Sequence, residues 1–264
     1  MGKIDVKISL SLSFLCFISG FFVVPYQMNT MKTMMPGLYH EMLKNVPVSM
    51  GMLTILSALQ LFLIAFVLSW IGLKVARSVG FSFRLLDSLV TNQSRIIVEK
   101  NVAILAAVLG LLTALVISLS DRLVFQQYIP LLAENKPVFS FDALAAGVLY
   151  GGIFEEILLR LVTLSLLVWL FSKVFKTSKG ELPALFYWIA ILVSTILFAL
   201  GHLPATRMFF GEVTPLLLVR SLLLNGIGGL FFGYLYWKKG FEYAILAHMF
   251  SHIWLQLVVN PLVY

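Results

Sequence analysis

Residues 143–171 read ALAAGVLYGGIFEEILLRLVTLSLLVWLF, an apolar run interrupted by the three charges Glu155, Glu156 and Arg160. A bilayer is crossed by about 20 apolar residues in helix, so this run is long enough to span one. A charge near the bilayer centre costs roughly 2.5–3.5 kcal/mol on insertion scales and persists mainly where it serves a function. Three such charges within six residues mark the working centre of the molecule.

Composition extends that reading to the whole chain. Hydrophobic residues make up 60% of the sequence and charged residues 12%, against about 45–50% and about 25% in soluble domains. The length of 264 residues suits a single integral-membrane domain over 1–264, with the chemistry carried by 142–260. One cysteine, Cys16, cannot form an internal disulfide. The net charge of +7 is spread over short connections, which fits the positive-inside rule and not a nucleic-acid surface.

Seven stretches are long enough to span: 8–24, 46–73, 102–120, 143–171, 183–200, 215–237 and 243–259. The expected fold class is therefore all-α, a polytopic transmembrane helix bundle of seven spans, with room for an eighth in 122–141 or within 46–73. The first stretch follows Lys3 and Lys7 but lacks a small-x-small cleavage site, and it reads as an anchor. Val6 stands where N-myristoylation needs Ser or Thr, and the carboxyl end carries no prenylation signal. With the N-terminus inside, the inner connections hold twelve basic residues, from Lys3 to Lys239. The outer connections hold five: Lys32, Lys44, Arg122, Lys136 and Arg207. That bias places the N-terminus in the cytoplasm, and without a targeting peptide the expected location is the plasma membrane. Residues 74–100 alternate apolar and polar side chains and read as an amphipathic segment on the cytoplasmic face. Arg220, near the end of its span, reads as snorkelling to the interface.

The remaining polar residues of the spans form a pattern. His202 follows Phe198 by four, and His248 and His252 lie four apart; His40 alone among the four histidines falls in a connection. At about 100° per residue, Glu156 and Arg160 share a helix face and can pair, while Glu155 points elsewhere and stays free. Gly147 and Gly151, and Asn225, Gly229 and Gly233, have the four-residue spacing that lets helix backbones approach, and packing explains them. A single membrane histidine is often just an interhelical hydrogen-bond partner, and a Glu–Arg pair can be structural. The ordered combination of Glu-Glu-x-x-x-Arg, Phe-x-x-x-His and His-x-x-x-His is harder to obtain from packing.

In these three motifs the chain resembles the CAAX-protease and bacteriocin-processing (CPBP) family, which includes the type II CAAX prenyl endopeptidases. The first motif matches Glu155, Glu156 and Arg160, the second Phe198 and His202, and the third His248 and His252. The resemblance covers about 155–252. The commonest family version carries asparagine where this chain has His252.

The resemblance implies an intramembrane endopeptidase acting on a membrane-associated, prenylated or precursor peptide. Peptide hydrolysis needs an activated water and a polarising group for the oxyanion. An apolar surrounding disfavours the charged form of a carboxylate and so strengthens it as a base. Glu155 is expected as that base, with His202 sharing the water. His248 and His252 are expected to stabilise the oxyanion, and Glu156 and Arg160 to support the helix. No cofactor is expected; in the alternative, Glu155, His202, His248 and His252 ligate zinc. Partners are the lipid bilayer and a peptide or protein substrate, with no nucleic acid. His-Glu-x-x-His and Gly-x-Gly-Asp, the marks of other intramembrane proteases, are absent. The alternative from another class is a non-catalytic transporter or scaffold, since acid and histidine chains also relay protons. Counted along their spans, Glu155 and His202 lie toward the outer end and His248 toward the inner. Convergence therefore requires tilted helices or shifted span boundaries.

Overall fold

In a membrane every backbone N–H and C=O must be bonded within its own segment, which leaves helices as the answer for runs such as these. The computed structural model describes residues 2–91, 96 and 98–264, and among them there is no strand. Seven helices are long and apolar enough to span: α1 Lys3–Met34, α2 Met50–Val79, α3 Lys100–Gln127, α4 Phe141–Val174, α5 Ala184–Phe210, α6 Pro215–Lys238 and α7 Phe241–Val263. The protein is an all-α integral membrane bundle. Local sequence sets several helix starts. Ser49, Ser140 and Thr214 each accept a hydrogen bond from a backbone N–H three residues on, and Pro215 occupies the first turn of α6 without losing a needed donor. Gly80 closes α2 at φ 98°, a left-handed conformation that suits glycine.

Where an eighth span had room, α3 ends in a short turn at Phe125–Gln127 and the chain continues into a short helix at Pro130–Glu134. Phe125 and Ile129 pack there with Leu217 of α6 in a small apolar cluster.

Small residues set the helix contacts. A Cβ on Gly20 of α1 would sit 2.6 Å from the Ala58 Cα of α2. One on Gly110 of α3 would sit 2.7 Å from the Ala247 carbonyl of α7. These backbones touch because nothing projects between them.

Two sequence expectations change at the ends of the bundle. Part of the 74–100 segment is buried instead of lying on the face. Phe83 is 1% exposed, and Phe81 stacks on Tyr236 with centroids 4.3 Å apart. The Leu85 N–H donates to Glu242 Oε1 at 2.6 Å, so the short helix Arg84–Val90 is pinned to the start of α7. Arg77 joins Asp5 and Asp87 across three elements. Residues 92–95 and 97 of that segment lie outside the described residues. At the opposite end Arg220 does not snorkel. It makes a two-pronged pair with Asp121 of α3 at 2.7 and 2.6 Å, because a guanidinium fork matches a carboxylate better than it matches scattered water.

Candidate active site

The centre of α4 departs from α-helical geometry. Between α-helical ends at Phe141–Ala146 and Ser165–Val174, residues Gly147–Glu155 and Ile157–Leu164 are π-helical, with backbone bonds reaching five residues instead of four. Side chains follow the same spacing. Thr163 Oγ1 donates to the Leu158 carbonyl and Ser165 Oγ to the Arg160 carbonyl, each five residues back. In an ordinary helix such as α3, Thr113 bonds four back, to Leu109. A wider coil turns less per residue, so Glu155 and Glu156 diverge by less than the 100° of an α-helix.

Both carboxylates reach the same imidazole. Glu156 Oε1 lies 2.7 Å from His248 Nδ1, and Glu155 Oε2 lies 3.8 Å from His248 Nε2. Glu155 Oε1 lies 3.9 Å from His202 Nε2. One carboxylate from α4 thus stands between a histidine of α5 and a histidine of α7. The depth mismatch between these residues disappears because α7 crosses α4 at its glycines, Gly152 facing Met249 and Gly151 facing His252.

Buried charge beneath Glu155 is neutralised locally. Glu156 is fully buried and Arg160 nearly so; their atoms approach to 2.8 Å. The angle is poor for a hydrogen bond to Arg160 Nη1, so the attraction is chiefly coulombic. Arg160 Nη2 donates to the Gly228 and Gly229 carbonyls at 3.4 and 3.3 Å, and the guanidinium lies over the Phe232 ring at 5.5 Å. The pairing expected from the i,i+4 spacing is present. Glu156 also holds His248, which helix spacing could not show. Glu156 Oε2 finds no protein partner.

Residues 137–254 match a family model described as type II CAAX prenyl endopeptidase Rce1-like. Over this segment the chain is similar to the Rce1-like family. No curated protein and no solved structure matches the chain. The match supports a CAAX-type intramembrane protease activity. The match spans all three motifs, from Glu155 to His252.

Within the Rce1-like segment the histidines are held by distinct means. His202 sits at the break that divides α5. Its Nδ1 lies 2.9 Å from the Phe198 carbonyl, and its ring stands edge-on to the Phe198 ring at 4.4 Å. The Phe-x-x-x-His motif is therefore a clamp made by one residue's backbone and side chain together. The His248 ring stacks between Phe232, at 4.9 Å, and His252, at 5.2 Å. His252 forms no pair with Glu155 comparable to those of His202 and His248. Among the described residues, no group of three or more His, Cys, Asp or Glu side chains is spaced to hold a metal ion. Phe232, Gly228 and Gly229 complete the site from α6, and nothing in an apolar span with glycines at packing distance singles them out in sequence.

Replacing Glu156 by glutamine leaves Arg160 buried without its counter-charge and weakens the His248 contact. Removal of one partner of a fully buried pair costs about 3–5 kcal/mol, so Glu156→Gln should lower the thermal midpoint of the purified protein in detergent markedly. An unchanged midpoint would contradict the burial and pairing described for Glu156.

Proposed function

We propose that this protein is an intramembrane endopeptidase that hydrolyses a peptide bond with a water activated by Glu155. The observation that carries the reading is the position of Glu155 between the Nε2 atoms of His202 and His248. The Phe198 carbonyl can only accept, so His202 carries its proton on Nδ1 and turns a lone pair on Nε2 toward Glu155. A carboxylate and an imidazole lone pair 3.9 Å apart are two acceptors that one water, donating both its protons, can bridge. Its oxygen lone pair then faces outward, toward a scissile carbonyl.

In the proposed reaction the water oxygen bonds to the carbonyl carbon while its proton passes to Glu155. The carbonyl π electrons move onto oxygen, giving a tetrahedral oxyanion. Glu155 then returns that proton to the amide nitrogen as the C–N bond breaks, leaving a carboxylic acid and an amine. His248 donates to the oxyanion from Nε2 in its protonated form, since Glu156 occupies Nδ1. His252 has neither ring nitrogen engaged, so it keeps an N–H for the same purpose. No step of this reaction runs through a metal.

The substrate class proposed is a membrane-associated peptide of the prenylated CAAX kind, the kind named in the description of the matching family. The N-terminus is proposed to lie in the cytoplasm of a plasma-membrane protein. The 3–7, 74–84 and 173–179 basic groups meet at one end of the bundle, where Arg77 bonds Asp5 and Lys179 lies against Gly80.

Glu155→Gln keeps shape and hydrogen bonding but removes the base. Cleavage of a prenylated CAAX peptide should fall by about 10²–10⁴-fold with the thermal midpoint retained. Full activity in this variant would overturn Glu155 as the base, and absence of cleavage by the parent protein would favour the transporter or scaffold reading. His252→Asn should keep activity within about tenfold, because an amide N–H₂ can donate in the same place. Parallel loss of activity and of bound zinc, measured by elemental analysis, would instead establish the metal mechanism. Single cysteines at Lys7 and Lys136, in a background lacking Cys16, should react with an impermeant maleimide in intact cells at position 136 and not at 7; the reverse result would invert the topology.

A further inference from the structure

The His252 imidazole rests directly on the backbone of α4. A Cβ built on Gly147 would lie 2.4 Å from His252 Nδ1 and 2.6 Å from its Cγ. One built on Gly151 would lie 2.7 Å from His252 Nε2 and 3.4 Å from His248 Nε2. Non-bonded carbon and nitrogen atoms do not approach so closely, so either methyl group would displace the ring. The ring has little room to yield. The His248 ring lies nearly parallel to it, with planes 16° apart, and His248 is backed in turn by Phe232. Phe232 lies beneath the Arg160 guanidinium, so a push on His252 is transmitted to the imidazole that contacts both Glu155 and Glu156.

We infer that Gly147 and Gly151 are positioning residues, whose missing side chains form the seat that sets the His252 and His248 rings against Glu155. This goes beyond helix packing: the atoms nearest the absent methyls are imidazole atoms and not a neighbouring helix backbone. Gly152 provides the contrast. Its Cβ would meet the Met249 Cγ at 2.5 Å, part of a flexible chain that can move aside. The inference rests on the proposed protease reading for its consequence in catalysis, and on geometry alone for the steric coupling.

The test is a double-mutant cycle on the full-length protein in detergent, combining Gly151→Ala with His252→Asn. Asparagine has no ring, so it should tolerate the added methyl. Two readouts are followed: kcat and KM on a quenched-fluorescence farnesylated CAAX peptide, and the thermal midpoint without substrate. Gly151→Ala alone should lower kcat at least tenfold with KM changed less than threefold, and should lower the midpoint. In the His252→Asn background the same change should have less than a threefold effect on kcat and little effect on the midpoint. Gly147→Ala should behave like Gly151→Ala, whereas any loss from Gly152→Ala should persist beside His252→Asn. Additive losses in both readouts, or a Gly151→Ala protein indistinguishable from the parent, would overturn the inference. Should Gly151→Ala fail to fold, recovery of folded protein by His252→Asn supports it and no recovery overturns it. If no variant cleaves the peptide, coupling in the thermal midpoint alone sustains the seat while the protease reading fails.

Discussion

A guanidinium held in the interior of a membrane protein must be neutralised and bonded where it stands, and the centre of this bundle is organised around that requirement. Arg160 takes its counter-charge from Glu156 on the same helix and its hydrogen bonds from two glycine carbonyls of α6. A ring of α6, Phe232, covers its face. Two of these groups also touch His248: Glu156 bonds it and Phe232 stacks on it. Solving the arginine's electrostatic problem therefore fixes the imidazole that faces Glu155. Stability and chemistry are tied to one buried cluster, so few of its members can change without disturbing both.

The π-helical stretch of α4 is the second element of that arrangement. Two adjacent carboxylates there reach one imidazole, one on each ring nitrogen. π-turns inside helices are often found at functional sites, and these flank both carboxylates. The glycines of the same stretch let α7 close onto it, so a local change in coil and a local lack of side chains act together.

Polar contacts at the two ends hold the frame. Arg77 with Asp5 and Asp87, and Glu242 with the Leu85 N–H, tie α1, α2 and α7 together at one end. Asp121 and Arg220 join α3 to α6 at the other. In the apolar middle there is little hydrophobic discrimination between helix–helix and helix–lipid contact. Small residues and these end pairs select the neighbours, and the catalytic candidates inherit their positions from that selection.

The sequence alone determined that the chain is a membrane helix bundle, where seven apolar spans lie, and which six ionisable residues merit attention. Hydropathy is a local quantity and could be summed along each span, and the spacings of Glu155, Glu156 and Arg160 and of His248 and His252 are likewise local. Tertiary structure decided the pairings. That Glu156 belongs to His248 as well as to Arg160, that Arg220 binds Asp121, that Phe81 and Phe83 turn inward, and that Gly147 and Gly151 face an imidazole all depend on contacts distant in the chain. Helix tilt, the π register and close approach at glycines set those contacts. Glycine spacing marks where a close approach is possible, but what each glycine faces, like tilt and π register, arises from the packing of one helix against another.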